Sequence, residues 1–379
     1  MTLRVVISGV NLIEGGPLKV FKDCISAFSA LGNVSLICLV NNQSLFSDFT
    51  ASTIRFIQFP DVKSSWLNRV RFEYFYSRKL SLELQADIWL SMHDVTPRVL
   101  VGKQYTYCHN PSPFYAAGFR DFLLDKKFFL FAHLYRYLYR INIKSNAAVI
   151  VQQEWMASFF KKQLNVPRVW VARPQQVHEK MPKANVPLQV NAPVVTLFYP
   201  AFARSFKNFE VVFRALKLLG RSSPCHLARI KMIVTITGEE NGYSKWLKRE
   251  FADVSAIVWA GHMSRAEVDT HYHNADVVIF PSRLETWGLP ITEAKTLGKP
   301  LLVADLPYAH ETVGEYGAVG FFDPTDAAQL AERLKAIVDG EPSFGPAQHL
   351  AVEADVILNS WEELVSKIME DARFTRISP

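Results

Sequence analysis

Two carboxylates flank a glycine loop in the second half of the chain. Glu285 and Glu293 lie eight positions apart, and between them Gly288 permits a tight backbone path while Pro290 suits a helix start. Carboxylates accept hydrogen bonds from hydroxyls, and the free N–H groups of a first helical turn bind phosphate. The pattern is typical of a site for a polyhydroxylated, phosphorylated ligand. The alternative is that neither carboxylate binds a ligand: Glu285 is then a solvated loop charge, and Glu293 only complements the helix dipole.

Two cations precede a predicted helix near residue 208. Arg204 and Lys207 lie in FYPAFARSFKN, between a strand and that helix. Guanidinium and ammonium groups beside helix N–H groups form a clamp for pyrophosphate. Two exposed loop charges are the alternative.

The first half offers two further candidates. His109 follows a predicted strand in the run Tyr-Cys-His-Asn-Pro, and a structural histidine is the alternative to a ligand-contacting one. Gly15 and Gly16 separate the first strand from the first helix, so the backbone there can approach a ligand, although a plain tight turn explains them too. The pair is not a GxGxxG fingerprint, so it predicts no dinucleotide site.

Alternating strands and helices must position these residues. Apolar runs at residues 3–8, 34–40, 54–59, 88–90, 104–108 and 147–152 predict strands, and the pattern restarts at residue 194. This alternation predicts an α/β fold with parallel sheets and helices on their faces. Four prolines between residues 174 and 193 indicate a linker, and we place the boundary near residues 180–192. The predicted domains are 1–190, 191–358, and a C-terminal helix in 359–379 that packs back on the first domain.

Composition narrows the function classes. The chain has 379 residues, 49% of them hydrophobic, which indicates a globular protein of two domains. Residues 1–190 carry a net charge of +11 and the remainder −5, so the first half is expected to meet an anionic partner. Four scattered cysteines without a CxxC pair indicate reduced thiols and no zinc site. We see no signal peptide and no stretch long enough to span a membrane, and expect a cytoplasmic protein.

The segment 119–143 is unusually aromatic and basic. It carries eight Phe or Tyr residues together with five cations, and its length suits one or two helices. An interfacial helix would place the cations on anionic headgroups and the rings among the lipids. A core helix pair whose basic residues reach out to water is the alternative.

The motif around the two carboxylates, taken with its flanks, resembles the retaining glycosyltransferases of the GT-B fold, family 4, also called group 1 glycosyltransferases. Their signature of two glutamates separated by seven residues stands here as Glu285 to Glu293, ETWGLPITE. Pro281-Ser282 precedes it, Gly298-Lys299-Pro300 follows, and Gly320 to Pro324 comes later in family order. The resemblance covers residues 194–340 best. It implies two Rossmann-like, doubly wound domains facing a cleft.

The resemblance also implies roles for individual residues. Glu285 would hold hydroxyls of the donor sugar, Glu293 the ribose, and His109 would contact the sugar at the reaction centre. Lys207 matches the family's phosphate-binding lysine, whereas Arg204 departs from the usual Gly-Arg that follows the strand. Backbone N–H groups around Trp287, Gly288 and Leu289 would bind oxygens of the sugar and the phosphates. The resemblance also implies a phosphate or acceptor loop at Gly15 and Gly16, and nucleobase loops at Gly238, Gly261 and His262.

The resulting prediction is a retaining glycosyltransferase that uses a nucleotide-diphosphate sugar as co-substrate and needs no metal or other cofactor. The acceptor is expected to be a glycan on a lipid anchor, in bacterial surface polysaccharide or lipopolysaccharide assembly. We expect the protein to lie peripherally on the acidic inner face of the cell membrane and to bind no nucleic acid. A nucleotide-sugar epimerase of the same fold, or a non-enzymatic nucleic-acid binder using the basic half, are the alternatives.

Overall fold

A computed structural model describes residues 3–51, 53–115, 117–173, 193–342, 344–345, 347 and 354–374. The chain divides into two compact units. Unit 1 comprises residues 1–114, 133–177 and 352–379, and unit 2 comprises residues 115–132 and 178–351. The predicted boundary at residues 180–192 lies outside the described residues.

The strands follow the predicted alternation, except that those at residues 169–172, 319–322 and 356–358 were not predicted. In chain order they are β1 (Leu3–Ser8), β2 (Val34–Val40), β3 (Ile54–Gln58), β4 (Ile88–Ser91), β5 (Lys103–Cys108), β6 (Ala148–Val151), β7 (Val169–Ala172), β8 (Val195–Tyr199), β9 (Ile230–Val234), β10 (Ile257–Trp259), β11 (Val277–Phe280), β12 (Leu301–Ala304), β13 (Val319–Phe322) and β14 (Val356–Leu358).

The α-helices connect the strands. They are α1 (Gly15–Ser29), α2 (Trp66–Arg71), α3 (Ser77–Glu83), α4 (Phe119–Leu124), α5 (Lys126–Leu138), α6 (Glu154–Leu164), α7 (Phe209–Ser222), α8 (Pro224–Leu227), α9 (Gly242–Glu250), α10 (Arg265–Asn274), α11 (Leu289–Thr296), α12 (Pro307–Val313), α13 (Ala327–Val338) and α14 (Trp361–Phe374). A π-helical turn, Phe72–Tyr76, joins α2 to α3.

Unit 1 contains one eight-stranded sheet in the order β14-β7-β6-β5-β4-β1-β2-β3, and the pairings along it are parallel. Side chains alternate between its faces, so Val5 and Ile7 pack with α1 and α14 whereas Val6 packs with Phe72 and Leu80. The strand order reverses beside β1 and β4, which is where parallel sheets of this kind bind ligands.

Unit 2 contains a six-stranded parallel sheet in the order β10-β9-β8-β11-β12-β13. Every residue of β11 and β12 is buried, as expected for strands covered by helices on both faces. The predicted fold class, two Rossmann-like α/β sheets, is therefore confirmed.

The units do not follow the predicted sequence ranges throughout. Residues 115–132 belong to unit 2, although the prediction gave residues 1–190 to one domain, because α4 and α5 contact unit 2 side chains. Strand β14 belongs to unit 1, although it lies within the predicted 191–358 domain, because it pairs with β7. Helix α14 packs against α1 in the unit 1 core.

Two helix ends in unit 2 can be compared with what the sequence pattern predicts. The sequence pattern Ser-x-x-Glu at Ser264 and Glu267 predicts a capping box, and it is confirmed, because Ser264 accepts from the Glu267 amide while Glu267 accepts from the Ser264 amide at 2.7 Å. Gly220 predicts that the helix before it ends at Leu219, but this is wrong, since α7 continues to Ser222. A Cβ at Gly220 would lie 2.8 Å from Leu227 Cδ2, so the glycine allows close packing within the helix.

Candidate functional site

Two loops at the carboxyl edge of the unit 2 sheet bring together Lys207 and Glu285. Lys207 follows β8, Glu285 follows β11, and these strands are neighbours in the sheet. The ammonium of Lys207 contacts Oε1 of Glu285, and both side chains are mostly buried, at 16% and 14% exposed. The two residues assigned to phosphate and sugar therefore form one oppositely charged pair.

Asn208 fixes the distance between those loops. It adopts a left-handed conformation with φ of 57°, which asparagine tolerates better than most residues. Its buried side-chain amide donates to the carbonyls of Pro281, at 3.1 Å, and Pro324, at 2.9 Å. The Arg283 amide also donates to the Phe206 carbonyl at 2.7 Å. The sequence pattern did not single out Asn208 or Arg283 as part of the site.

The glycine loop after Glu285 leads into α11 as predicted. Gly288 caps the helix with φ of 81°, and a Cβ there would lie 3.3 Å from Ile291 and 3.4 Å from Phe280. Trp287 is buried, and its indole N–H donates to Thr292 Oγ1 at 3.0 Å. Leu289 is exposed at the first turn. No side chain caps this turn, but Pro290 has no N–H and the Ile291 N–H donates to the Gly288 carbonyl at 2.9 Å, so few first-turn amides remain for an anion.

Glu293 pairs with Arg265, a residue that the sequence analysis missed. The Arg265 guanidinium donates to Glu293 at 2.5 Å and lies 2.7 Å from Asp269 on α10. The hydrogen bond to Glu293 raises the pKa of Arg265 above its ordinary value. Its position at the start of α10, close after the predicted loop residue His262, was the available signal.

The two predicted nucleobase loops lie side by side. Gly238 follows β9 with φ of 95°, and Gly261 follows the neighbouring β10 with φ of 80°. A Cβ at Gly261 would lie 3.0 Å from Thr237. Glu240 is exposed; the partial loss of hydration of its carboxylate would raise its pKa, but hydrogen bonds from the Thr237 backbone and hydroxyl lower the pKa to about 2. The glycines and the exposed His262 therefore surround a small polar loop.

Arg204 differs from Lys207 in its surroundings. Its side chain is 56% exposed and lies 3.5 Å from Asp125, which precedes α5. Asp125 Oδ1 accepts from the Phe128 amide at 3.1 Å, and the Phe128 ring lies 5.0 Å from that of Phe206. Asp125 and Phe128, which the prediction placed in the other domain, therefore contact the loop that carries the cations.

In unit 1, Gly15 and Gly16 begin α1 and are exposed. Gly15 has φ of 67°, and a Cβ on Gly16 would meet no atom within 4 Å. Glu14 makes no side-chain cap, so the first-turn N–H groups are open. The loop can accept an anion, and it is also an ordinary glycine turn in shape.

His109 follows β5 and remains 13% exposed at its side chain. Its backbone N–H donates to Asp94 Oδ1 at 2.8 Å, and its Nε2 lies 3.9 Å from Asp94 Oδ2. Asp94, which follows the neighbouring β4, was not predicted. Its signal was its place three residues after the end of β4, since β4 pairs with β5 and His109 directly follows β5.

A second histidine in unit 1 has the residue types of a nucleophilic triad. His93 Nε2 lies 3.0 Å from Ser8 Oγ, and Nδ1 lies 3.1 Å from Glu73 Oε1. Each of the three residues is only 1% exposed, so no substrate reaches the serine. Burial raises the pKa of Glu73 to about 8 and lowers the pKa of His93, so both side chains favour their neutral forms. The cluster is a buried structural network.

The aromatic and basic segment fits both of its sequence interpretations. Phe128, Tyr135 and Tyr139 are buried, as a core helix requires. The helical spacing of Leu130, Leu134 and Tyr137 puts three large exposed side chains on the opposite side of α5, and the exposed Ile141 follows in the turn after the helix. The exposed cations Lys126, Arg136 and Arg140 accompany them. Among the described residues, no helix combines the length and the apolar character needed to cross a bilayer.

Comparisons with known proteins converge on one class. The family model "Glycosyl transferases group 1" matches residues 183–350. Glycogen synthase of Mycobacterium tuberculosis is 31% identical over 111 residues, which cover 28% of this chain and only 26% of that protein. The match thus spans about a quarter of the length of this curated relative.

Solved structures match over nearly the whole chain. The apo lipopolysaccharide outer core galactosyltransferase WaaB has a TM-score of 0.62 at 12% identity, covering 99% of this chain and 100% of that one. An Escherichia coli trehalose-6-phosphate protein bound with UDP-2-fluoro glucose has a TM-score of 0.57 at 13% identity, covering 98% and 97%. The chain therefore has the GT-B fold, and its residues 183–350 match the group 1 glycosyl transferases.

Proposed function

We propose that this protein is a retaining glycosyltransferase that takes its sugar from a nucleotide-diphosphate sugar and uses no metal ion. The contact between Lys207 and Glu285, beside the glycine loop that leads into α11, carries the proposal. A cation and a carboxylate side by side are the partners that a pyrophosphate and the hydroxyls of the attached sugar require.

When the nucleotide sugar binds, the two ion pairs Lys207–Glu285 and Arg265–Glu293 open, and groups of the ligand replace one member of each pair. Lys207, with Arg204, neutralises the pyrophosphate, so Glu285 is released from the ammonium and accepts from sugar hydroxyls. Glu293 similarly accepts from the ribose in place of Arg265. Because each pair already holds its groups in position, little side-chain freedom remains to be lost on binding.

In the reaction, the bond between the anomeric carbon and the phosphate oxygen breaks, and a bond to the acceptor oxygen forms on the same face of the sugar. The acceptor's proton passes to the departing phosphate oxygen. Lys207, Arg204 and backbone amides around Gly288 stabilise the charge that develops on the nucleoside diphosphate. His109 contacts the donor sugar and shapes the reaction centre.

The acceptor we propose is a growing glycan on a lipid anchor, as in bacterial surface polysaccharide or lipopolysaccharide assembly. The exposed side chains of Leu130, Leu134 and Tyr137, accompanied by Arg136 and Arg140, have the chemistry of an interfacial helix. The net charge of +11 on residues 1–190 favours an acidic leaflet. The WaaB galactosyltransferase, which has the same fold, acts on a lipopolysaccharide core.

A nucleotide screen tests the donor assignment. Titration calorimetry with UDP, GDP, dTDP and CMP, each beside its nucleoside, is expected to show one diphosphate that binds at least about tenfold more tightly than its nucleoside. Equal binding of diphosphate and nucleoside, or binding of none of them, would remove the basis of the proposal.

A vesicle spin tests the membrane assignment. We expect the protein to sediment with acidic but not with neutral vesicles, because each basic residue near an acidic surface contributes about 1 kcal/mol. Partial release at about 1 M salt should leave a remainder held by the exposed apolar side chains. The double variant Arg136→Glu, Arg140→Glu should bind less, whereas Arg4→Glu, with its cation outside the segment, serves as the control. Protein that stays in solution with both lipids refutes the assignment.

A further inference from the structure

Asp94 lies directly beside the turn that carries His109. One carboxylate oxygen, Oδ1, accepts from the backbone N–H of His109 at 2.8 Å and of Asn110 at 2.9 Å. The other oxygen, Oδ2, lies 3.9 Å from His109 Nε2. A single side chain thus holds two consecutive amides and faces the imidazole.

The carboxylate is itself held firmly. Asp94 has φ of 73°, a left-handed conformation that residues other than glycine seldom adopt, although aspartate tolerates it better than most, and its neighbours hold it there. That support comes from the end of β5, because the Asp94 amide donates to Tyr107 at 3.3 Å and the Cys108 thiol donates to the Asp94 carbonyl at 3.4 Å. Arg69 donates to the preceding carbonyl, that of His93, at 2.8 Å.

The turn is fixed from its other side as well. The Tyr139 hydroxyl donates to the Asn110 carbonyl at 2.9 Å. Asp94 and Tyr139 are buried, whereas the His109 side chain keeps some exposure. The arrangement therefore immobilises the backbone of His109 while its ring stays within reach of a ligand.

We propose that Asp94 is a positioning residue for His109: its carboxylate sets the backbone of the His109-Asn110 turn and the orientation of the imidazole. This inference rests on the proposed function, in which His109 contacts the donor sugar. Asp94 acts on turnover through His109 and has no part in nucleotide binding, since the predicted nucleotide contacts, apart from the Gly15-Gly16 loop, belong to unit 2.

The test compares Asp94→Ala with Asp94→Asn in the full chain, using the donor found in the nucleotide screen and following its turnover. Loss of both amide bonds should lower kcat about 10- to 100-fold, the scale of a small misplacement of a catalytic group. The Kd for the nucleoside diphosphate should not change. Asparagine tolerates the left-handed backbone and keeps an oxygen acceptor, so Asp94→Asn should recover most of the turnover.

Asp87 supplies a matched control at the other end of β4. Its carboxylate accepts from the Arg4 backbone amide at 2.9 Å, so Asp87→Ala loses the same kind of bond. Both alanine variants should melt at lower temperature, but only Asp94→Ala should lower kcat per folded molecule. An equal kcat in the two alanine variants overturns the inference.

A double-mutant cycle isolates the connection to His109. In a His109→Ala background, Asp94→Ala should change the residual turnover by less than about twofold, because its effect passes through the missing ring. Independent, multiplying losses would contradict the inference. Absence of any turnover in the unaltered protein, or full turnover in His109→Ala, would instead refute the proposed function.

Discussion

The polar side chains near the carboxyl edges of the two sheets differ in their exposure and in their partners. In unit 2, Lys207–Glu285 and Arg265–Glu293 are ion pairs whose members keep some exposure. In unit 1, Ser8, Glu73 and His93 are closed off, and His109 is fixed through backbone bonds to Asp94. Charged pairs that keep some exposure can exchange partners with a charged ligand, whereas a cluster closed to solvent cannot. The difference teaches that the second sheet's edge is suited to binding and the first to holding one group still.

The largest effect should follow removal of the exchangeable carboxylate. Glu285→Ala should abolish detectable sugar transfer, since each hydrogen bond to a charged group is worth about 1.5–3 kcal/mol, or roughly 10- to 100-fold. Asp253→Ala, which removes the carboxylate of a surface pair with Lys217, should leave turnover unchanged. Steady-state transfer assays with circular dichroism as a folding check decide this. Normal turnover in folded Glu285→Ala would show that the carboxylate is not used.

Removal of the Lys207 ammonium should weaken the binding of the nucleoside diphosphate but not that of the nucleoside. Lys207→Ala is expected to raise the Kd for the nucleoside diphosphate about 10- to 100-fold while leaving the Kd for the nucleoside nearly unchanged. Lys217→Ala removes a surface ammonium from the same unit and serves as the control. Calorimetric titration of both ligands gives the result. Equal losses for diphosphate and nucleoside would move Lys207 away from the pyrophosphate.

The closed network of unit 1 should respond to pH through stability alone. The pKa of Glu73 rises from an ordinary 4.5 to about 8, so between these values the folded protein holds a proton that the unfolded chain has lost. Stability therefore falls as pH rises through this window. The lowered pKa of His93 acts in the opposite direction, but only up to its ordinary value of 6.5.

Between about pH 6.5 and 8, only the Glu73 effect remains, and it should cost about 1–2 kcal/mol of unfolding free energy. Glu73→Gln removes the titrating group and should flatten this part of the curve. Urea unfolding across the pH range measures both proteins. Identical slopes for the two would mean that the Glu73 carboxyl is already ionised in the folded state.

The smallest effect concerns the exposed cation. Asp125 competes with an incoming diphosphate for Arg204, but the arginine is largely solvated, so the pair is worth at most about 1 kcal/mol. Asp125→Asn should therefore tighten diphosphate binding by no more than about fivefold, and Asp253→Asn should not change it. Weaker binding in Asp125→Asn would mean that Asp125 orients Arg204 rather than occupying it.

The sequence predicted correctly those features that depend on residues close together in the chain. The glycine loop, Pro290 and the capping box at Ser264 are readable because each depends on residues within a few positions. The partners Asp94, Asp125 and Arg265 were missed because each lies 15 or more positions from the group it contacts. Only the pairing of neighbouring strands and the packing of α4 and α5 bring them together. The place of residues 115–132 in unit 2 was hidden for the same reason.

Time-resolved proton NMR of the donor reaction tests the function most directly. Incubated with the nucleotide sugar whose diphosphate binds, the protein should release nucleoside diphosphate and a sugar product whose anomeric configuration is first that of the donor. Glu285→Ala should release neither. Recovery of an intact nucleotide sugar with an altered sugar would indicate an epimerase, and a product of inverted configuration would contradict the retaining mechanism.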